Sequence, residues 1–325
     1  MVVMNRLMLT VLAAAALFGS CSKDDDDKTG NNNKDLVSPE MLDMTVSSAA
    51  SFTGGLMVYP CMPDTSIYFG NFSVNGEIVS FNANYTVING SASSVLNPVR
   101  LPVGDYNFLY WGVMKNSPTD STYDAASITE PGLRRGINLA DLSYSLRKSS
   151  YSDTTYSPVY DFVHAVQPLH VGTDNMEATL DRVVTGLRVA IVNYDGSTMD
   201  SSIATCRVLV SSIAGKLNYY TAEPSDFTKT VAFPLTVSGD SLMMSANSTV
   251  MMFPSGDAPE LSVVLNLKNG QEKVFRKALA GPLAAGNRLV LKISLGDLYV
   301  EEGSSHGFEV KDWDEKTESL DFPTN

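Results

Sequence analysis

From Asp35 onward, apolar and polar residues alternate with period two in short runs. The stretch 261–267 sets Leu261, Val263, Leu265 and Leu267 on one side, turns at Asn269-Gly270 and returns through 271–276. In 288–295, Leu289, Leu291, Ile293 and Leu295 share a face, as Leu187, Val189 and Ile191 do in 187–192. Successive side chains leave a strand on opposite sides, so this alternation predicts strands with one face in a core. The runs 176–181, 206–213, 216–220, 230–237, 242–245 and 249–253 add further strands beyond residue 173. Short strands at near-regular spacing point to a Greek-key sandwich.

The preceding half reads the same way. Residues 66–74 alternate, Asn75-Gly76 follows and 77–81 resumes, as in a hairpin. In a type I′ turn both central residues need φ > 0, which Asn and Gly tolerate. Asn89-Gly90 repeats the signal. The stretch 101–113 (LPVGDYNFLYWGV) is apolar on both faces, with Tyr106, Phe108 and Tyr110 on one and Leu109, Trp111 and Val113 on the other. Such a strand belongs inside a sandwich or at an interface. Residues 115–157 are rich in Ser, Thr, Asp and Tyr without periodicity and read as a long surface segment. No helical period lasts beyond a turn or two. The expected fold is all-β, with two tandem β-sandwiches spanning 35–172 and 173–325.

The beginning of the chain has a different character. Arg6 is the one charge before an apolar run, 7–18, broken only at Thr10. That run is too short to span a bilayer, which takes about 20 apolar residues. It leads into Gly19-Ser20-Cys21, a junction that resembles a bacterial lipobox, in which the signal (residues 1–20) is removed and the cysteine becomes the acylated N-terminus. Phe18 departs from the small or branched residue usual three positions before that cysteine. Cys21 is therefore the expected lipid-attachment site, with an ordinary signal peptide and an incidental cysteine as the alternative. Residues 21–34 (CSKDDDDKTGNNNK) form an acidic, polar tether that cannot bury enough apolar surface to fold. A lysine followed by acids after the cysteine resembles the surface-export signal of Bacteroidetes lipoproteins. The expected location is the outer face of the outer membrane, held by acyl chains at about 0.8 kcal/mol per buried CH₂.

Composition narrows the function. Against 23 Lys and Arg stand 36 Asp and Glu, a net charge of −13. Without a basic cluster, nucleic acid is not an expected partner. Cys61 and Cys206 are expected as buried thiols, with a disulfide as the alternative. The chain contains no nucleophile elbow, zinc-protease helix, Cys-x-x-Cys, P-loop or dinucleotide fingerprint. No catalytic residue, cofactor or metal site is expected, and the protein is not read as an enzyme. His164 and His170 would lie about 20 Å apart in an unbroken strand, too far for one metal, and a break at Gln167-Pro168 would bring them closer. His306 reads as a solvated loop residue, and the pairs Asp312/Asp314 and Glu301/Glu302 have no spacing that singles them out for catalysis. The triplets at 120–122, 153–155 and 240–242 resemble the Bacteroidetes O-glycosylation signal.

Several runs carry a wider likeness: 101–113, 178–193 (ATLDRVVTGLRVAIVN), 283–295 (LAAGNRLVLKISL) and 308–315 (FEVKDWDE), with Trp313 after Asp312. In pattern and order the chain resembles the fimbrium-associated lipoproteins of Bacteroidales, a group that includes fimbrial anchor proteins and the fimbrillin-like subunits of type V pili. The resemblance implies transthyretin-like sandwiches, display on the cell surface and assembly with other fimbrial subunits by strand donation. A sandwich edge suits that role because its N–H and C=O groups lack partners. Shaft subunits of the family lose their lipid when a trypsin-like protease cuts after an early arginine. Here the first arginine after Cys21 is Arg100. The resemblance therefore implies an anchor or accessory subunit that keeps its lipid, with a shaft or tip subunit as the alternative. A host protein or glycan partner stays open. In a different class stands a surface glycan-binding lipoprotein using exposed Trp111, Tyr110 or Tyr151 to stack on sugar rings. The competing fate of those rings is core packing.

Overall fold

The structure is a computed structural model and describes residues 36–47, 50–79, 82–115, 126–150, 152–246, 248–295 and 316–319. The strand Gly104–Met114 is the middle strand of a seven-stranded sheet. Phe162–Val171 pairs with it antiparallel on one side and Gly54–Cys61 on the other. Ala83–Ile88 and Ser91–Asn97 follow beyond Gly54–Cys61, and Thr179–Arg182 and Thr45–Val46 beyond Phe162–Val171. The two apolar faces of the middle strand enter different cores. Tyr106, Phe108 and Tyr110 pack with Leu56, Tyr85 and Val163, whereas Leu109 and Trp111 pack with Tyr59, Tyr144 and Tyr219. The dual-faced pattern of 101–113 thus marks an interior strand.

Part of the cover over the Tyr106 face comes from Met41, Met44, Val46 and Phe52. Met176 N donates to Glu40 O at 2.7 Å, and Leu42, Thr45 and Ser47 donate to Met176, Ala178 and Leu180, each at 3.0 Å. This ladder lays residues 40–47 parallel to 176–180 along the sheet margin. The same segment reaches the opposite margin, where Met44 N donates to Gly90 O and Gly90 N to Phe52 O, both at 2.9 Å. Met41, Met44, Val46 and Phe52 are 4%, 0%, 2% and 0% exposed. Burying such side chains contributes roughly 1.5–3 kcal/mol each, so the segment is a structural part of this core.

The second sheet has nine strands. Its path runs Glu272–Ala278, Glu260–Leu267, Ile203–Ile213, Lys229–Val237, Met243–Ser245, Thr185–Asn193, Asn287–Leu295 and Lys316–Ser319, with Val250–Met252 also paired to Thr185–Asn193. Thr185–Asn193 and Asn287–Leu295 run parallel. The inward residues foreseen from alternation, including Val189, Ile191, Val263, Leu265 and Ile293, are buried. One expected strand changes place: Thr179–Arg182 joins the seven-stranded sheet, drawn there by pairing with Phe162–Val171.

The segment 115–157 is not simply surface. Ile128–Thr129 and Ser143–Leu146 join Lys216–Asn218 and Pro224–Ser225 in a four-stranded sheet, and Leu139, Tyr144 and Leu146 are buried in the core that holds Trp111. The alternation there lasts only four residues, too short to register as a period. The hairpin around Asn75-Gly76 is also shorter than expected, pairing only Asn71–Phe72 with Ile78–Val79. Among the described residues there is no α-helix, only the 3₁₀ turn Leu139–Asp141, and no helix long and apolar enough to cross a membrane.

Candidate functional site

A protein that joins neighbours through sheets presents its margins, and the four margins here differ. Thr45–Val46 is two residues long and belongs to the segment that closes the first core. Ser91–Asn97 carries no charge, but its pairing with Ala83–Ile88 shifts register twice. Bulges of this kind twist an edge away from a straight partner. Glu272–Ala278 bears Glu272, Lys273, Arg276 and Lys277, and such charges discourage edge-to-edge pairing. The fourth margin is different. Lys316–Ser319 pairs only with Asn287 to Val290, so Leu291 to Leu295 have no strand on that side among the described residues. Their inward side chains are nonetheless apolar, with Ile293 and Leu295 3% and 1% exposed.

Between the two sheets lies an aromatic junction. Trp111 donates Nε1–H to Tyr219 O at 2.8 Å, and its ring meets Tyr144 edge-on at 4.8 Å. His164 Nε2 is 3.0 Å from Tyr220 O, and a carbonyl can only accept, so this nitrogen carries the proton. Asn107 Nδ2 donates to Tyr220 Oη at 3.3 Å, and that hydroxyl donates to Thr65 O at 3.2 Å. Side chains of the seven-stranded sheet thus grip the backbone of the 219–220 turn. Burial raises the phenols of Tyr59, Tyr144 and Tyr219 well above their ordinary range, so all three stay neutral.

The residues singled out in the sequence fall as follows. Trp111 and Tyr110 are each 0% exposed, which removes both as sugar-stacking platforms. Cys21, Tyr151, Glu301, Glu302, His306, Asp312, Asp314 and the triplet 120–122 lie outside the described residues. Pro168 does not break its strand, since it pairs in register with Asn107, and His164 and His170 stay six residues apart. His170 instead meets Asp105 at 2.7 Å at the surface. Among the described residues no three His, Cys, Asp or Glu side chains gather closely enough for a metal. Cys61 and Cys206 are free and buried, and burial pushes both thiols up to about 12.

Comparison with known proteins settles the kind of molecule this is. Residues 37–319 match the sequence profile of the fimbrillin-A associated anchor proteins Mfa1 and Mfa2. The chain belongs to this family. Members are fimbrial anchors, structural proteins rather than enzymes. Solved structures resemble the chain at low identity. A candidate adhesin from Bacteroides ovatus is 13% identical, with a TM-score of 0.50 over 84% of this chain and 92% of that one. The fimbrial anchor protein Mfa2 from Porphyromonas gingivalis is 14% identical, with a TM-score of 0.48 over 80% and 91%. A candidate cell adhesion protein from Bacteroides uniformis is 15% identical, with a TM-score of 0.45 over 86% and 98%. No curated protein matches the chain.

Proposed function

We propose that this family member is a lipid-anchored anchor or accessory subunit of a cell-surface fimbrium, attached to the outer membrane through Cys21. The observation that carries this reading is the burial of Met41, Met44 and Val46 within the segment 40–47. Met41, Met44 and Val46 are core residues, so the chain leaving Leu36 toward the tether is tied to the folded body. A cut after Arg100 would remove Thr45–Val46, Gly54–Cys61, Ala83–Ile88 and Ser91–Asn97, four of the seven strands. Loss on that scale would destroy the first core rather than open a groove in it, which favours the anchor over a processed shaft subunit. Other fimbrial subunits join it by strand addition, the mode of assembly that an open sheet edge suits.

Metabolic labelling with a clickable fatty acid tests the attachment. Wild type is expected to take up label, and Cys21→Ser is expected to lose it and leave the membrane fraction. Mass spectrometry of the protein from purified fimbriae tests the role. A lipid-free N-terminus inside the first sheet would overturn it.

A further inference from the structure

The chain leaves the folded body beside a region that is both apolar and basic. Leu36 and Val37, the first described residues, pair antiparallel with Pro102 and Leu101. Arg100 immediately precedes that pair, and its carbonyl accepts from Phe72 N at 3.1 Å. Phe72 in turn pairs with Ile78 across the Asn75-Gly76 hairpin. A Cβ on Gly70 would meet both Ile78 Cγ2, at 3.6 Å, and Arg135 Cδ, at 3.7 Å. The exit point, the hairpin and the Arg134-Arg135 loop are therefore connected. In this region Val74, Ile78 and Val103 are 79%, 42% and 58% exposed. Arg134 and Arg135 are exposed and Arg100 is half-buried. Among the described residues no carboxylate pairs with any of the three arginines. Glu77 is the one acid of the hairpin, and alternation turns it away from the face that Phe72 and Ile78 share.

A single exposed valine is ordinary. Three exposed aliphatic side chains among three arginines are a different matter in a chain of net charge −13. Aliphatic side chains enter the boundary between lipid headgroups and acyl chains, and guanidinium groups bond the phosphates above it. The place of the region decides its occupant. Leu36 follows Cys21 by fifteen residues, so a lipid on Cys21 would keep the exit point within roughly 50 Å of the membrane even with the tether fully extended. A flexible tether of that length averages only about 20 Å. Docking is then intramolecular, and weak contacts suffice. We propose that this region is a docking surface for phosphate-bearing lipid headgroups, with Val74, Ile78 and Val103 inserted and Arg100, Arg134 and Arg135 on the phosphates. The proposal rests on the attachment through Cys21 and adds how the body is seated on the membrane.

The test uses the mature chain, residues 21–325, with Cys21→Ser, so that no acyl chain contributes. It is sedimented with vesicles of phosphatidylcholine alone or of an equal mixture with phosphatidylglycerol. Partition is expected to be about tenfold greater onto the mixed vesicles at low ionic strength, and the preference should shrink in about 0.5 M salt. Arg134→Gln combined with Arg135→Gln should abolish the preference, and Val74→Asp should weaken binding to the mixed vesicles. Lys268→Gln, at an exposed turn of the second sheet, should change nothing. Equal partition onto the two vesicles, or a preference that survives loss of both arginines, would overturn the docking surface. Binding that appears only once Asp24 to Asp27 are all changed to asparagine would assign the arginines to the chain's own acidic run and overturn it as well. Fatty-acid labelling reads the attachment separately, so failure of the docking surface leaves Cys21 standing and failure of the attachment leaves the vesicle result unaltered.

Discussion

Both carboxylate oxygens of Asp161 accept hydrogen bonds from the Arg182 guanidinium, from Nε at 2.7 Å and from Nη2 at 3.1 Å. The two side chains are 0% and 5% exposed. Asp161 immediately precedes Phe162–Val171, and Arg182 ends Thr179–Arg182 just before the chain enters the second sheet at Thr185. Burial raises the Asp161 carboxyl above its ordinary range, and Arg182 works against that rise. Arg182→Met leaves a buried carboxylate without its counter-charge and is expected to cost about 3–5 kcal/mol in denaturant unfolding. Adding Asp161→Leu should recover most of that loss. A double variant no more stable than the single one would show that the pair is not the source of the cost.

His164 predicts an acid-sensitive fold. Burial pulls its imidazole from 6.5 down to about 4, against the opposing effects of the Tyr220 carbonyl and the Asp181 carboxylate. The unfolded chain therefore takes up the proton first as pH falls. The contribution of this residue to stability is complete above 6.5, declines between 6.5 and about 4, and is lost below that. Its size is roughly 3 kcal/mol. His164→Gln keeps an N–H for Tyr220 and should flatten melting temperature against pH across this window. An unchanged slope would assign the acid sensitivity to other groups.

Gly90 and Gly76 form a matched pair for substitution. Both have left-handed backbones, with φ of 83° and 80°. A Cβ on Gly90 would stand 3.0 Å from Met44 O, whereas nothing lies within 4 Å of one on Gly76. Gly76→Ala should cost about 1–2 kcal/mol from the backbone alone. Gly90→Ala should cost more, because it also pushes against the Met44–Gly90 hydrogen bond. Equal losses in thermal unfolding would mean that the N-terminal segment gives way freely at that point.

The thiols of Cys61 and Cys206, pushed up to about 12 and buried, should resist modification in the folded protein. In the Cys21→Ser chain at pH 8, a disulfide-exchange reagent is expected to find no fast thiol until denaturant is added, and then both. A fast thiol in the native protein would place one of them at the surface.

Legibility in the sequence followed the length of the alternating runs. Glu260–Leu267 and Asn287–Leu295 were visible because four apolar residues repeat on one face of each. Gly54–Cys61 was hidden, since two glycines open it, Pro60 interrupts it and both of its faces are largely buried. Asn-Gly pairs marked turns but not their type. Asn89 and Gly90 both take positive φ, as a type I′ turn requires, whereas at Asn75-Gly76 only the glycine does. Trp111 and Tyr110 could not be placed from composition, because burial of an aromatic depends on what crosses it from distant strands.

The ladder that lays residues 40–47 along 176–180 has a mechanical meaning. Its hydrogen bonds run from Glu40 to Ser47 along one parallel margin. A pull on Leu36 directed along the segment loads those bonds side by side, in shear, so none can open ahead of the rest. Slippage would also have to draw Met41, Met44 and Val46 out of the core together. Under the proposed attachment through Cys21, tension would be borne by the whole margin at once, and resistance to it set by the rate of a single cooperative rupture rather than by successive unzipping.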